Sequence, residues 1–197
     1  MDIPGNIRDG IDNLLFNYIE AKPGDSLAIV TEQGVDGYYS ATLDEVIAAR
    51  ARERSLHVRL IVAPVLEEVS TCPDEIQSAV ESADHILFLA RVGDQLRFSE
   101  FSGLGKPTIC YALDETSLGT QFGSAHYKFF IRLKKLINEA MFGNREIVIR
   151  CGAGTNLSGV SPESANDDNE DDVTVKRFPM TVFRPIPGDT FSGQIAL

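Results

Sequence analysis

Three histidines, three cysteines and one serine in a glycine-rich stretch are the side chains of this chain best suited to catalysis or metal binding. His57 and His85 open strand-like runs and His126 opens a helical one. A zinc site needs imidazoles and carboxylates at helical or hairpin spacing, and neither HExxH nor HxH occurs. Cys72, Cys110 and Cys151 are odd in number and never at CxxC spacing. They therefore make neither a disulfide framework nor a zinc knuckle, and reduced thiols are expected. Ser102 lies in Phe101-Ser102-Gly103-Leu104-Gly105, but Glu100 stands where a nucleophile elbow has its first glycine, so G-x-S-x-G fails. The turn Cys151-Gly152-Ala153-Gly154-Thr155-Asn156-Leu157 has no helix behind it to aim N–H groups at a phosphate, so a tight turn or bulge is expected. Six acids and no base lie between Glu163 and Asp172. No glycine sits among them, and their spacing does not fit a calcium loop. No catalytic residue, metal ligand or cofactor site is identified.

Contact chemistry is better represented. Tyr38 and Tyr39 follow Gly34 and Gly37, just beyond a short apolar run at 26–32. In open α/β sheets ligands bind beyond the carboxyl ends of the strands, which makes both tyrosines candidate contacts. Gly34 and Gly37 alone are no dinucleotide fingerprint. A second run, 173–184, is strand-like but broken by Pro179 and followed by Pro185 and Pro187, which confines it to an edge or a bulge. An exposed edge can add an extended peptide, with main-chain hydrogen bonds for affinity and side-chain pockets for choice. Val175, Arg177, Phe178, Met180, Val182 and Arg184 are the expected peptide contacts on that edge.

Local patterns predict the elements that would hold these residues. Ile7, Ile11, Leu14, Leu15, Tyr18 and Ile19 recur at helical spacing, and Lys22-Pro23-Gly24-Asp25 stops that helix. SLAIVTE, HVRLIVAP, HILFLAR and PTICYAL read as strands, the last apolar enough to be buried on both faces. Helices are expected at 40–54, 72–83 and 126–142, the last with Phe129, Phe130, Leu133, Leu136, Ile137, Ala140 and Met141 along one side. Alternating strands and helices imply an α/β fold: an open, mostly parallel sheet with helices on both faces. After Asn144 the pattern changes to β runs, predicting a C-terminal antiparallel extension. The expected domains are 1–144 and 145–197, with a mobile acidic loop at 162–172 joining antiparallel strands.

A net charge of -11 argues against binding nucleic acid or an anionic membrane through a basic field. The N-terminus has no signal-peptide core, no apolar stretch is long enough to span a bilayer, and a cytoplasmic location is expected.

The last third resembles the thermophilic metallo-aminopeptidase family, the aminopeptidase T group, which also includes 2,5-dihydroxypyridine dioxygenase-like relatives. Gly154-Thr155-Asn156-Leu157 is similar to a Gly-Thr-Asp-Leu turn of that family. Phe178-Pro179-Met180-Thr181-Val182-Phe183 resembles its Pro-x-Gly-Glu-Val-Phe segment, and Thr190 to Ala196 resembles the glycine turn and strand that follow. The family's segment carries a metal-ligating glutamate where this chain has Thr181 or Val182, and its remaining ligands lie in a C-terminal domain with no counterpart here. The resemblance thus implies a truncated relative without the family's peptidase or oxygenase chemistry.

From this we expect a non-catalytic binding or accessory protein that takes a peptide or a partner enzyme. Accessory proteins of ribosomal-peptide natural-product pathways, such as crocagin biosynthesis, resemble it in size and lost ligands. The alternatives are a metal-dependent hydrolase or oxygenase whose site is completed by another subunit, and a nucleotide-binding module. Val173, Val175, Phe183 and Ile186 are expected to be left partly bare on the extension, and covering them against a twin subunit predicts a homodimer.

Overall fold

The computed structural model describes residues 3–32, 38–63, 72–98, 107–163, 175–180 and 190–196. Val182, Arg184, Gly34, Gly37, Ser102 and most of the acidic run lie outside them. The chain forms two compact units, Met1–Tyr127 with Glu170–Met180, and Lys128–Asn169 with Thr181–Leu197.

In the first unit α1 (Gly5–Asp12) runs into a wide π turn, Asn13–Tyr18. The apolar spacing predicted this helix, and Ile11, Leu14 and Leu15 are fully buried. Then follow β1 (Ser26–Glu32), α2 (Leu43–Glu53), β2 (His57–Ala63), α3 (Asp74–Ser82) and β3 (His85–Leu89). After β3 come α4 (Val92–Gln95) with a 3-10 turn at Leu96–Phe98, β4 (Thr108–Cys110), and two short helices, α5 (Glu115–Leu118) and α6 (Gln121–Ser124). Among the described residues the strands form a five-stranded parallel sheet, ordered β2-β1-β3-β4-β7, where β7 is Lys176–Phe178. Ala28, Val30, Ile86, Phe88 and Ile109 line one face with Ile76 and Ala79 of α3. The alternate residues Leu27, Ile29 and Leu87 are buried as well, as strands covered on both faces require.

The strand at 176–178 corrects the expected antiparallel pairing of that run. It lies parallel to β4, with Cys110 opposite Phe178. Burial explains the choice: Val175, Phe178 and Met180 all enter the core, and the Phe178 ring sits 5.4 Å from that of Tyr18. Val175 therefore needs no twin subunit to cover it.

The second unit holds α7 (Tyr127–Met141) from Lys128 onward and, among the described residues, a three-stranded antiparallel sheet, order β5-β6-β8. Its strands are β5 (Glu146–Arg150), β6 (Asn156–Val160) and β8 (Ser192–Gln194). Helix α7 forms where expected, but its apolar side is not buried as a stripe: Phe129 is 60% exposed and Leu136 is exposed too. Among the described residues no helix is long and apolar enough to cross a membrane.

At the amino ends of β1 and β3, side chains tie the strands together. The Ser26 hydroxyl and backbone N–H both donate to Asp84, and His85 Nε2 lies 2.9 Å from Asp25 Oδ2. Ser26, His85 and the aspartates do not form a triad, because the Ser26 hydroxyl is bonded to Asp84 and not to the imidazole. The His85 hydrogen bond, then the Lys22 backbone N–H, hold the Asp25 carboxyl below the usual carboxylate range. A depressed folded-state value means that Asp25 stabilises the fold above its unfolded value of about 4, and that this is lost as pH falls through the folded value. His85→Ala should therefore lessen the drop in melting temperature between pH 6 and pH 3, measured by circular dichroism. Asp84 is lowered chiefly through Ser26, which the substitution leaves in place, and loss of its smaller lowering by the His85 charge acts in the same direction.

Candidate functional site

The chain leaves β1 toward β2 on one side and returns to β3 on the other, so the order reverses between β1 and β3. In open α/β sheets such a reversal is where ligands bind, beyond the carboxyl ends of the strands. Glu32, the last residue of β1, is 3% exposed at its side chain. Arg91, two residues beyond β3, meets it at 2.7 Å through Nη2 and also donates its backbone N–H and Nε to the same carboxylate. The buried carboxylate is thereby neutralised, while the Arg91 side chain is 44% exposed.

Beside this pair lie the ends of β4 and β7. The Tyr39 hydroxyl donates to the Cys110 carbonyl at 2.7 Å. Tyr38 packs edge-on against Tyr39, with centroids 5.9 Å apart, and is 53% exposed. Ser40 and Thr42 fix this segment. The Ser40 backbone N–H donates to the Leu113 carbonyl, and both hydroxyls bond to Glu115. Beyond β4, the Tyr111 N–H donates to the Phe178 carbonyl and its hydroxyl donates to Asp94 of α4. Arg97 Nη1 lies 3.9 Å from that aspartate.

Burial and hydrogen bonding shift several of these groups away from their ordinary values. Burial raises the Tyr39 phenol far above its ordinary value, so it stays a donor. Burial, then the bond to Asp94, push Tyr111 up to about 12, with Arg97 and Arg177 close enough to oppose the rise. Burial also pushes the Cys110 thiol up to about 12, which makes it inert as a nucleophile. Burial alone would raise the Glu115 carboxyl, but Thr42, its own backbone N–H and Ser40 together outweigh it and hold it low, an acceptor and a poor base. Among the described residues no three of histidine, cysteine, aspartate and glutamate converge as a metal would need.

The fold thus gathers Tyr38, Tyr39 and Arg177 near the end of β4. Val175, Phe178 and Met180 place their side chains in the core, and Val182 and Arg184 lie outside the described residues. Sequence reasoning missed Glu32, Arg91, Asp94, Arg97 and Tyr111. The end-of-strand rule that picked out Tyr38 would have found Glu32 and Arg91. Tyr111 was hidden in a continuous apolar run, and Asp94 and Arg97 in a connection with no clear period.

No protein-family model and no curated protein matches the chain. Among solved structures it is similar to a 2,5-dihydroxypyridine dioxygenase from Pseudomonas putida KT2440, at TM-score 0.48 and 11% identity, over 80% of this chain and 48% of that one. A fatty acid ABC transporter substrate-binding protein from Thermomonospora curvata is similar at TM-score 0.38 and 14% identity, over 71% of this chain and 41% of that one. The chain spans less than half the length of each. The aminopeptidase and crocagin resemblances find no match in sequence, and a dioxygenase stands among the distant structural neighbours.

Proposed function

We propose that the chain is a non-catalytic binding protein that takes a peptide at the carboxyl ends of its parallel strands. The observation that carries this reading is the group Tyr38, Tyr39, Tyr111, Arg97 and Arg177 around the ends of β4 and β7, beside the Glu32–Arg91 pair. Tyrosine faces give contact area at low entropic cost, and arginine forks recognise carboxylates. No side chain of this group with a resolved shift is tuned to exchange a proton near neutral pH.

The main chain adds little. The Lys176 N–H donates to the Pro107 carbonyl and the Phe178 carbonyl accepts from Tyr111, so these two residues turn their backbone groups toward β4. Within β7, alternation turns the N–H and C=O of Arg177 outward, and Pro179 has no N–H to follow it. Side chains must then supply affinity, and a peptide carboxylate is the group that suits Arg177 and Arg97.

Calorimetric titration with peptides in free-acid and amidated form tests this. Free-acid peptides should bind more tightly, and Arg177→Ala should weaken them about tenfold or more, as loss of a charge-assisted hydrogen bond does. Absence of heat with any peptide, together with turnover of a small substrate, would favour the enzyme reading.

A further inference from the structure

The outer edge of β5 has the composition of a strand built to pair with its own copy. It reads Glu146-Ile147-Val148-Ile149-Arg150, with acid and base at opposite ends of a symmetric apolar run. Among the described residues β5 ends its sheet, paired with β6 on one side alone. The Ser161 N–H donates to the Arg145 carbonyl and the Cys151 N–H to the Thr155 carbonyl. Odd-numbered residues therefore turn their backbone groups toward β6. Alternation along an antiparallel ladder leaves those of Glu146, Val148 and Arg150 facing the open edge. The same three side chains are exposed, Val148 at 46%, while Ile147 and Ile149 on the opposite face are half-buried.

We infer that β5 joins β5 of a second copy in antiparallel register centred on Val148, making one sheet continuous across a two-fold axis. In that register Glu146 faces Arg150 of the second copy and Arg150 faces its Glu146. Val148 faces Val148, and each Ile147 meets an Ile149, so the half-buried apolar face continues across the axis. Each outward residue faces another outward residue, and such pairs exchange two hydrogen bonds. No like charges stand opposite one another, which favours this partner over a foreign strand.

The other open edges fit less well. β7 and β8 are three residues each, and β7 is followed by Pro179. β2 is longer and bears exposed Leu60 and Val62, yet it offers no pair of opposite charges to fix a register. A five-residue pairing buries little area, so association in about the micromolar range is expected.

Sedimentation equilibrium of the full chain over a range of concentrations tests the assignment. The wild-type chain should dimerise reversibly. Glu146→Arg or Arg150→Glu alone puts like charges opposite each other at both symmetry-related sites and should weaken the dimer at least about tenfold. The double charge swap should restore it, and mixing the two single variants should give a heterodimer. Leu60→Lys should change nothing. Both β5 substitutions are at exposed positions, and circular dichroism confirms folding. A monomer at every concentration, a dimer indifferent to the single variants, a double swap that stays monomeric, or loss of the dimer through Leu60→Lys would each overturn it.

Discussion

Gly10→Ala should cost about 3 kcal/mol or leave no folded protein, a large effect for one methyl group. Gly10 lies in α1 where that helix crosses α5, and a Cβ built on it would overlap the Leu118 carbonyl oxygen. A flexible side chain could move aside; a backbone carbonyl within a short helix cannot. A Cβ on Gly123 of α6 would overlap the same carbonyl oxygen, so two glycines pack closely against it. Leu118 itself is fully buried, which ties the clash to the core. Gly5→Ala is the matched control. It sits in the first turn of the same helix with nothing within 4 Å of its Cβ, and alanine there should be neutral or stabilising. Thermal and urea unfolding of the two variants separate a packing effect from a helix-propensity effect.

Asn13→Asp is the second large effect. Asn13 opens the π turn and is buried, yet its amide is fully used: Nδ2 donates to the Gly123 carbonyl at 2.7 Å and to the Ala125 carbonyl at 2.9 Å. Its Oδ1 accepts from Asn17. Aspartate keeps the shape but sets a carboxylate against two carbonyl oxygens with no donor for them. The expected loss is about 3–5 kcal/mol at pH 7. Because the charged form is disfavoured in the fold, the introduced carboxyl has a raised folded-state value. The deficit should therefore shrink as pH falls through that value toward about 4. Urea unfolding at pH 7 and pH 5 reads the difference, and a deficit that does not change would show that lost donors rather than charge burial dominate.

Much of the parallel sheet was legible from the chain because buried strands are apolar without interruption: SLAIVTE and HILFLA announce themselves. The register and the partner of 176–178 were not, since three residues carry too little pattern to distinguish a parallel from an antiparallel neighbour. What decided it was burial of Val175 and Phe178, a tertiary fact. The short helices α5 and α6 escaped for a related reason. They are held by the caps Asp114 and Thr120 and by close approach through Gly10 and Gly123, with no apolar period of their own. In the site, Tyr38 and Tyr39 could be named from their place after a strand. Tyr111 could not, because in PTICYAL the chain leaves the strand at Cys110, three residues before the apolar run ends.

The proposed ligand site lies at the carboxyl ends of the parallel strands. Amide hydrogen exchange followed by mass spectrometry, with and without a saturating free-acid peptide found by calorimetry, tests it most directly. Slowed exchange is expected in 38–42, 91–97, 111–115 and 176–178, with β5 and β6 unchanged. Protection confined to the second unit, or absent from all four segments despite measured binding, would contradict it.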